Sequence, residues 1–143
     1  MYADILLPVD LNHASSWSRA LPVAVALCQA CGARLHVLTV VPSLGMPIVG
    51  SYFPDDFEAR MRAETDTQLH AFVAAHVPAD VAVQHIVEEG TVYDRILATA
   101  DKIGADLIVI AAHRPELQDY LIGPNAARVV RHAGCSVLVV RGG

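Results

Sequence analysis

The chain has 143 residues, of which 54% are hydrophobic and 17% charged. That length fits one domain, 1–143, with enough chain to bury a sizeable core. The net charge of −5 argues against a general nucleic-acid binder, which needs a basic face to neutralise phosphates. No apolar run approaches the roughly 20 residues of a membrane-spanning helix, so no membrane insertion is expected. The N-terminal MYADILLPVD carries two acids and no basic n-region, which points to a cytoplasmic protein rather than a secreted one. Three cysteines without a signal segment are expected as reduced thiols.

The elements follow in order. Ala3 to Val9 is a short apolar run, read as the first strand, and Asp10-Leu11-Asn12-His13 a polar loop. Ser15 or Ser16 is placed to cap a helix whose Trp17, Leu21, Ala24, Cys28 and Cys31 recur at the helical period. Pro22 predicts a kink or a late start, and Gly32 the stop. Arg34 to Val41 is the second strand. Residues 42–54, with three prolines and two glycines, form a long loop. Asp55 and Asp56 open a second helix with Phe57, Met61, Thr65, Leu69, Phe72 and His76 down one face. Val81 to Val87 alternates as an edge strand would, and Glu88-Glu89-Gly90 turns the chain. Thr91 and Asp94 have capping-box spacing ahead of a helix with Val92, Ile96, Ala100 and Ile103 buried. Leu107 to Ala112 is the fourth strand, Gly123-Pro124-Asn125 opens the fourth helix, and Ser136 to Val140 is the fifth strand.

Strands alternating with helices through short links predict an α/β fold, a doubly wound five-stranded parallel sheet with helices on both faces. Such sheets bind ligands at the carboxyl ends of their strands, where the strand order reverses. Pro8, Val9 and Asp10, then Val40 and Val41, then Ala111 to Arg114 occupy those ends. The start of the fourth helix adds the unpaired N–H groups and positive dipole end that hold anions.

Several phosphate motifs are missing. There is no G-x-x-x-x-G-K loop, no G-x-G-x-x-G after the first strand and no G-x-S-x-G elbow. The acids and lysine of a phospho-receiver are not in place, nor is a flavodoxin-type Ser/Thr/Gly loop. Neither S-G-G-x-D nor H-I-G-H, the marks of adenylating enzymes, occurs. Cys28-x-x-Cys31 lies late in a helix, where a thiolate is not stabilised, and reads as core. The histidines lack metal-ligand spacing such as H-E-x-x-H.

LLPVD at the first strand together with AAHRPELQDYLIGPNAARVVRHAGCSVLVVR at the end resembles the universal stress protein family, and its F/G-type members most. The resemblance runs over the whole chain and includes the VEEG turn. It implies a regulatory module that binds an adenine nucleotide, ATP or AMP, dimerises, and signals to a protein partner with little or no catalysis. ATP-binding members carry G-x2-G-x9-G followed by Ser or Thr. Here Ala111 stands for the first Gly and Arg114 for the second, eight residues separate Arg114 from Gly123, and Pro124 replaces the hydroxyl residue. Ala111 narrows the backbone's approach to a phosphate, and Pro124 offers neither hydroxyl nor N–H. The Arg114 guanidinium and the Asn125 amide stand in their place.

Carried over by position, Asp10 accepts from ribose hydroxyls, while Pro8, Val9 and Val40 line an adenine slot. Ala111, Ala112, His113 and Arg114 wrap the phosphates, and Gly123, Pro124, Asn125 and Ala126 close from the helix start. Any Mg2+ would be held largely by phosphates and water. On residue type alone Asp10 fits a cap of the first helix equally well, and His113 reads as a loop histidine. The bare apolar Ser136–Val140 edge predicts a homodimer, which is also how the family associates. The rival readings are a dimeric scaffold that binds no nucleotide, and a weak ATPase or nucleotidyl transferase using His113 and Arg114.

Overall fold

The computed structural model describes residues 1–42, 57–112 and 123–142. The expected loop beyond Pro42, the Asp55-Asp56 helix start, and His113 and Arg114 lie outside the described residues. The elements are β1 (Asp4–Pro8), α1 (Ala20–Cys31), β2 (Arg34–Val41), α2 (Phe57–His76), β3 (Val83–Glu89), α3 (Val92–Ile103), β4 (Leu107–Ala111), α4 (Pro124–His132) and β5 (Ser136–Val140). A 3-10 turn over Ala14–Ser16 links β1 to α1.

The strands form one parallel sheet in the order β3-β2-β1-β4-β5, the doubly wound arrangement that the alternation predicts. The chain winds outward from β1 to β3, then returns and winds the other way through β4 to β5. Right-handed crossovers in opposite directions must put their helices on opposite faces. Accordingly α1 and α2 cover one face, against Ile5, Leu7, Leu35, Val37, Leu107 and Val109. On the other, α3 and α4 pack on Leu6, Leu38, Ile108 and Ile110. Alternate residues of one strand therefore enter different cores, which is why these strands read as unbroken apolar runs.

Local chemistry sets the ends. Gly32 closes α1 in the left-handed conformation, φ 67°, with its N–H on the Cys28 carbonyl, a conformation that costs other residues strain. Gly90, at φ 133°, turns the chain from β3 into α3 while its N–H bonds the Val41 carbonyl. Pro124 is the first residue of α4, with Gly123 at the N-cap, where the fixed φ of proline suits a helix start.

Several expectations are corrected. Helix α1 begins at Ala20, the late start that Pro22 predicts, but its N-cap is Arg19 and not Ser15 or Ser16, with no side-chain cap. Ser16 bonds backbone groups of the preceding loop instead. Glu88 and Glu89 end β3, in register with Val40 and Val41, rather than forming the turn. Thr91 is the N-cap of α3, but its hydroxyl makes no cap bond, so the capping box does not form. On α2 the buried residues are Leu69 and Val73, and His76 is exposed. On α3 they are Ile96, Thr99 and Ala100, while Val92 is exposed.

Candidate functional site

A cavity of about 400 Å³ opens at the carboxyl ends of the strands, between β1 and β4. The strand order reverses there, so consecutive crossovers leave on opposite faces and leave a gap between them. Its size lies within the range of small-molecule sites. Pro8, Val9 and Asp10 come from the end of β1 and the loop after it, Val40 from β2, and Ala111 and Ala112 from β4 and the residue after it. Gly123, Pro124, Asn125 and Ala126 come from the start of α4. All ten lie on the cavity wall. His113 and Arg114, the other two residues singled out in the sequence, fall outside the described residues.

Backbone bonds shape this wall. The Val9 N–H donates to the Leu38 carbonyl at 2.8 Å. The buried Thr39 hydroxyl donates to the Val9 carbonyl at 2.7 Å, pinning the end of β1 to the end of β2. Opposite, the Ala112 N–H bonds the Val140 carbonyl at 2.8 Å, and the Gly123 N–H bonds the Ala112 carbonyl at 2.5 Å. The start of α4 is thereby docked against the end of β4. The Ala127 N–H reaches back to the Gly123 carbonyl at 3.0 Å as the helix begins. The N–H groups of Asn125 and Ala126 precede the first possible intrahelical acceptor, so helix geometry leaves them open to a ligand. Pro124 contributes none. This end of the cavity thus offers two donors and a positive dipole end.

Asp10 sits in a fastened loop. Its Oδ1 accepts the Asn12 N–H at 3.0 Å, and its Oδ2 lies 2.9 Å from Nδ1 of His13. The carboxylate therefore caps its own turn and does not cap α1. It remains half exposed on the cavity wall. Asp10 is the one carboxylate on the described wall.

The sequence reading missed part of the lining. Met61, Thr65 and Gln68 present one side of α2 to the cavity, and Val92 and Ile96 one side of α3. The spacing of Met61, Thr65 and Gln68 is the helical signal for a shared face. Periodicity does not say whether that face meets core or cavity. Asn12, His13, Ser15 and Ser16 also line it. Aspartate's habit of accepting from a backbone N–H two residues on could have found the Asn12 contact.

The cysteines lie elsewhere. Burial, then the neighbouring Cys31, pushes the Cys28 thiol up to about 11, and burial raises Cys135. All three are free thiols, and Cys28 is core, as expected.

Residues 1–141 match the universal stress protein family. The chain belongs to that family. Universal stress protein G of Escherichia coli O157:H7 is 32% identical over 143 residues, covering 99% of this chain and 100% of the relative. Among solved structures, universal stress protein UspA from Lactobacillus plantarum is 27% identical. It superposes with a TM-score of 0.71 and covers 98% of both chains. A universal stress protein from Archaeoglobus fulgidus, in complex with dAMP, is 21% identical with a TM-score of 0.66, again covering 98% of both. The last likeness is one of fold. The family accounts for the wording of both ends of the chain, the LLPVD strand and the segment from Asp106 to Arg141.

Proposed function

We propose that this universal stress protein is a regulatory module that binds an adenine nucleotide, ATP or AMP, in the cavity between β1 and β4. One observation carries the reading: a single cavity at the strand-order reversal joins an apolar end to a donor end. Pro8, Val9 and Val40 supply apolar surface for a base. Asp10 supplies acceptor oxygens for ribose hydroxyls, and the start of α4 supplies N–H groups for phosphate. Ala111, Ala112, Gly123, Pro124, Asn125 and Ala126 are the residues we assign to the phosphate side, with His113 and Arg114 from the segment between them. The Archaeoglobus fulgidus relative holds dAMP, an adenine nucleotide. With Asp10 the one carboxylate on the described wall, Mg2+ would be held by phosphates and water.

The same reading makes the protein a cytoplasmic homodimer joined through Ser136 to Val140. In support, β5 is an edge among the described strands, pairing with β4, and its Leu138 (38%) is exposed, as is Val130 (48%) of α4. Exposed apolar edges favour pairing. Regulation is preferred to turnover because the Ser16 hydroxyl on the wall is tied to the backbone of Asp10 and His13, not aimed at an imidazole.

Calorimetry with ATP, AMP and adenosine, with and without magnesium, tests the binding. Saturable heat is expected; none at high micromolar ligand would favour a scaffold that binds no nucleotide. Arg114→Ala should weaken ATP more than adenosine. Light scattering should give a dimer mass, and sustained phosphate release from ATP would overturn the regulatory reading.

A further inference from the structure

Helix α2 turns one side of its first three turns to the cavity, through Met61, Thr65 and Gln68. No residue of those turns is buried; the buried ones, Leu69 and Val73, come later in the helix. Neighbouring polar side chains of α2 are fastened to protein. Arg62 donates to the Val87 carbonyl at 2.8 Å, the Thr67 hydroxyl donates to the Ala63 carbonyl at 3.0 Å, and His70 Nδ1 lies 2.9 Å from the Asp66 carbonyl. The Thr65 hydroxyl and the Gln68 carboxamide, the two polar groups that α2 brings to the wall, make no hydrogen bond among the described residues.

The elements around the cavity stand in the order of a nucleotide's parts. Helix α4 packs on α3 and β5, and α2 on β3 and β2. The two helices therefore bound opposite ends of the cavity, with the Asp10 loop of β1 between them. With phosphates at the start of α4 and ribose at Asp10, the base extends toward β2 and α2. The glycosidic bond of adenine leaves from its five-membered ring, and the 6-amino group sits on the six-membered ring, so that group is carried toward α2. The wall side chains from β2 are apolar except Thr39, whose hydroxyl is engaged by the Val9 carbonyl. The Gln68 carboxamide has what the amino group needs. Its oxygen accepts from an amino N–H while its NH2 donates to the adjacent ring nitrogen, the pairing by which glutamine reads adenine. The Thr65 hydroxyl rotates to donate or accept, so it supports a ligand without choosing among bases.

We propose that Gln68 is a specificity-determining residue of the cavity, accepting a hydrogen bond from the 6-amino group of a bound adenine nucleotide. The proposal rests on the adenine-nucleotide reading above and names the part of the ligand that α2 recognises. A neutral hydrogen bond of this kind corresponds to about a three- to tenfold preference for a base that bears the amino group over one that lacks it.

The test is calorimetry on the wild type, Gln68→Leu, Gln68→Glu and Thr65→Val, with AMP and with purine riboside 5′-monophosphate, which differs from AMP only in lacking the 6-amino group. Gln68 is exposed and unbonded among the described residues, so its replacements should leave the urea midpoint unchanged. The ratio of AMP affinity to purine riboside monophosphate affinity should fall about three- to tenfold in Gln68→Leu. It should persist in Gln68→Glu, whose carboxylate still accepts from the amino group while its charge weakens both ligands. Thr65→Val should weaken both ligands alike and keep the wild-type ratio. An unchanged ratio in Gln68→Leu would overturn the role of Gln68 and leave the nucleotide reading standing. So would an equal fall in Thr65→Val, which would mark a loosened helix face and not a recognised group. No binding of either ligand by any of the four proteins would overturn both.

Discussion

Replacing Thr39 with valine removes one hydroxyl from a side chain that is 5% exposed and leaves its shape unchanged. In the native chain that hydroxyl donates to the Val9 carbonyl at 2.7 Å, inside the wall between β1 and β2. A hydrogen bond of this kind is worth about 0.5–1.5 kcal/mol net, and a buried acceptor deprived of its donor costs about 1–3 kcal/mol. The methyl group that replaces the oxygen is better buried, by about 0.8 kcal/mol. The balance is a loss of about 1–2 kcal/mol. For a chain of this size that corresponds to a fall in Tm of roughly 3–6 °C. Urea denaturation followed through Trp17, the single tryptophan, measures it, with the m-value unchanged if only the native state is affected. A Thr39→Val midpoint indistinguishable from wild type would refute the claim that this bond fastens the two strand ends.

Four further outcomes follow from particular residues. His85 stacks on His70 with ring centroids 3.7 Å apart, and burial, then the His70 charge, lowers its pKa from 6.5, against a smaller opposing effect of Asp66. The folded state then binds fewer protons than the unfolded chain, so stability is lost as the pH falls below about 6.5. The denaturation midpoint should drop between pH 7 and 5, less steeply in His85→Phe; equal slopes would contradict this. The Cys28 thiol, at about 11, is almost wholly protonated at pH 8, so iodoacetamide should label Cys28 only after unfolding, as read by peptide mass. Gly32→Ala forces a φ of 67° on a residue with a Cβ that meets nothing within 4 Å. It should cost about 1–2 kcal/mol from the backbone alone. Gly134→Ala, also in open space but without positive φ, should be neutral or slightly stabilising in the same melting experiment.

The sheet was legible because its strands are buried on both faces. Arg34–Val41 and Ser136–Val140 carry the bounds that their apolar runs suggest. The expected third strand, 81–87, is shifted by two residues in the structure, because Glu88 and Glu89 look like turn residues until their pairing with β2 is seen. Composition also overstated the polar caps. Ser16 and Thr91 have the right residue type, yet Ser16 lies ahead of the Arg19 N-cap and bonds nearer backbone partners, and the Thr91 hydroxyl, though at the N-cap, caps nothing. The strand-end residues of the candidate site were readable because topology puts them on one edge. The contribution of α2 was not, since Met61 and Thr65 carry the same helical signal whether they meet core or cavity. The Asp10–His13 contact depends on how a short loop folds back on itself, and single-residue preferences leave that open.

The two ends of the sheet divide the polar work between them. At the amino end, Asp106 accepts the N–H groups of Ala3 and Asp4 at 2.9 and 3.1 Å. His36, 4% exposed, is held between Gln84 Oε1 at 2.5 Å and Asp4 Oδ1 at 2.9 Å, linking β1, β2 and β3. These groups satisfy one another across the three strands, as buried polar side chains must. At the carboxyl end the closing bonds run between backbone groups and Thr39. They leave the Asn125 and Ala126 N–H groups and the Asp10–His13 pair facing the cavity. A parallel sheet brings every strand's last residue to the same edge, and the reversal at β1 keeps the crossovers from covering it. Polar groups that one end uses for stability are therefore available at the other for a ligand. That asymmetry is the physical reason to look for function at Asp10 and the start of α4 and not at His36, although both ends hold a histidine beside an aspartate.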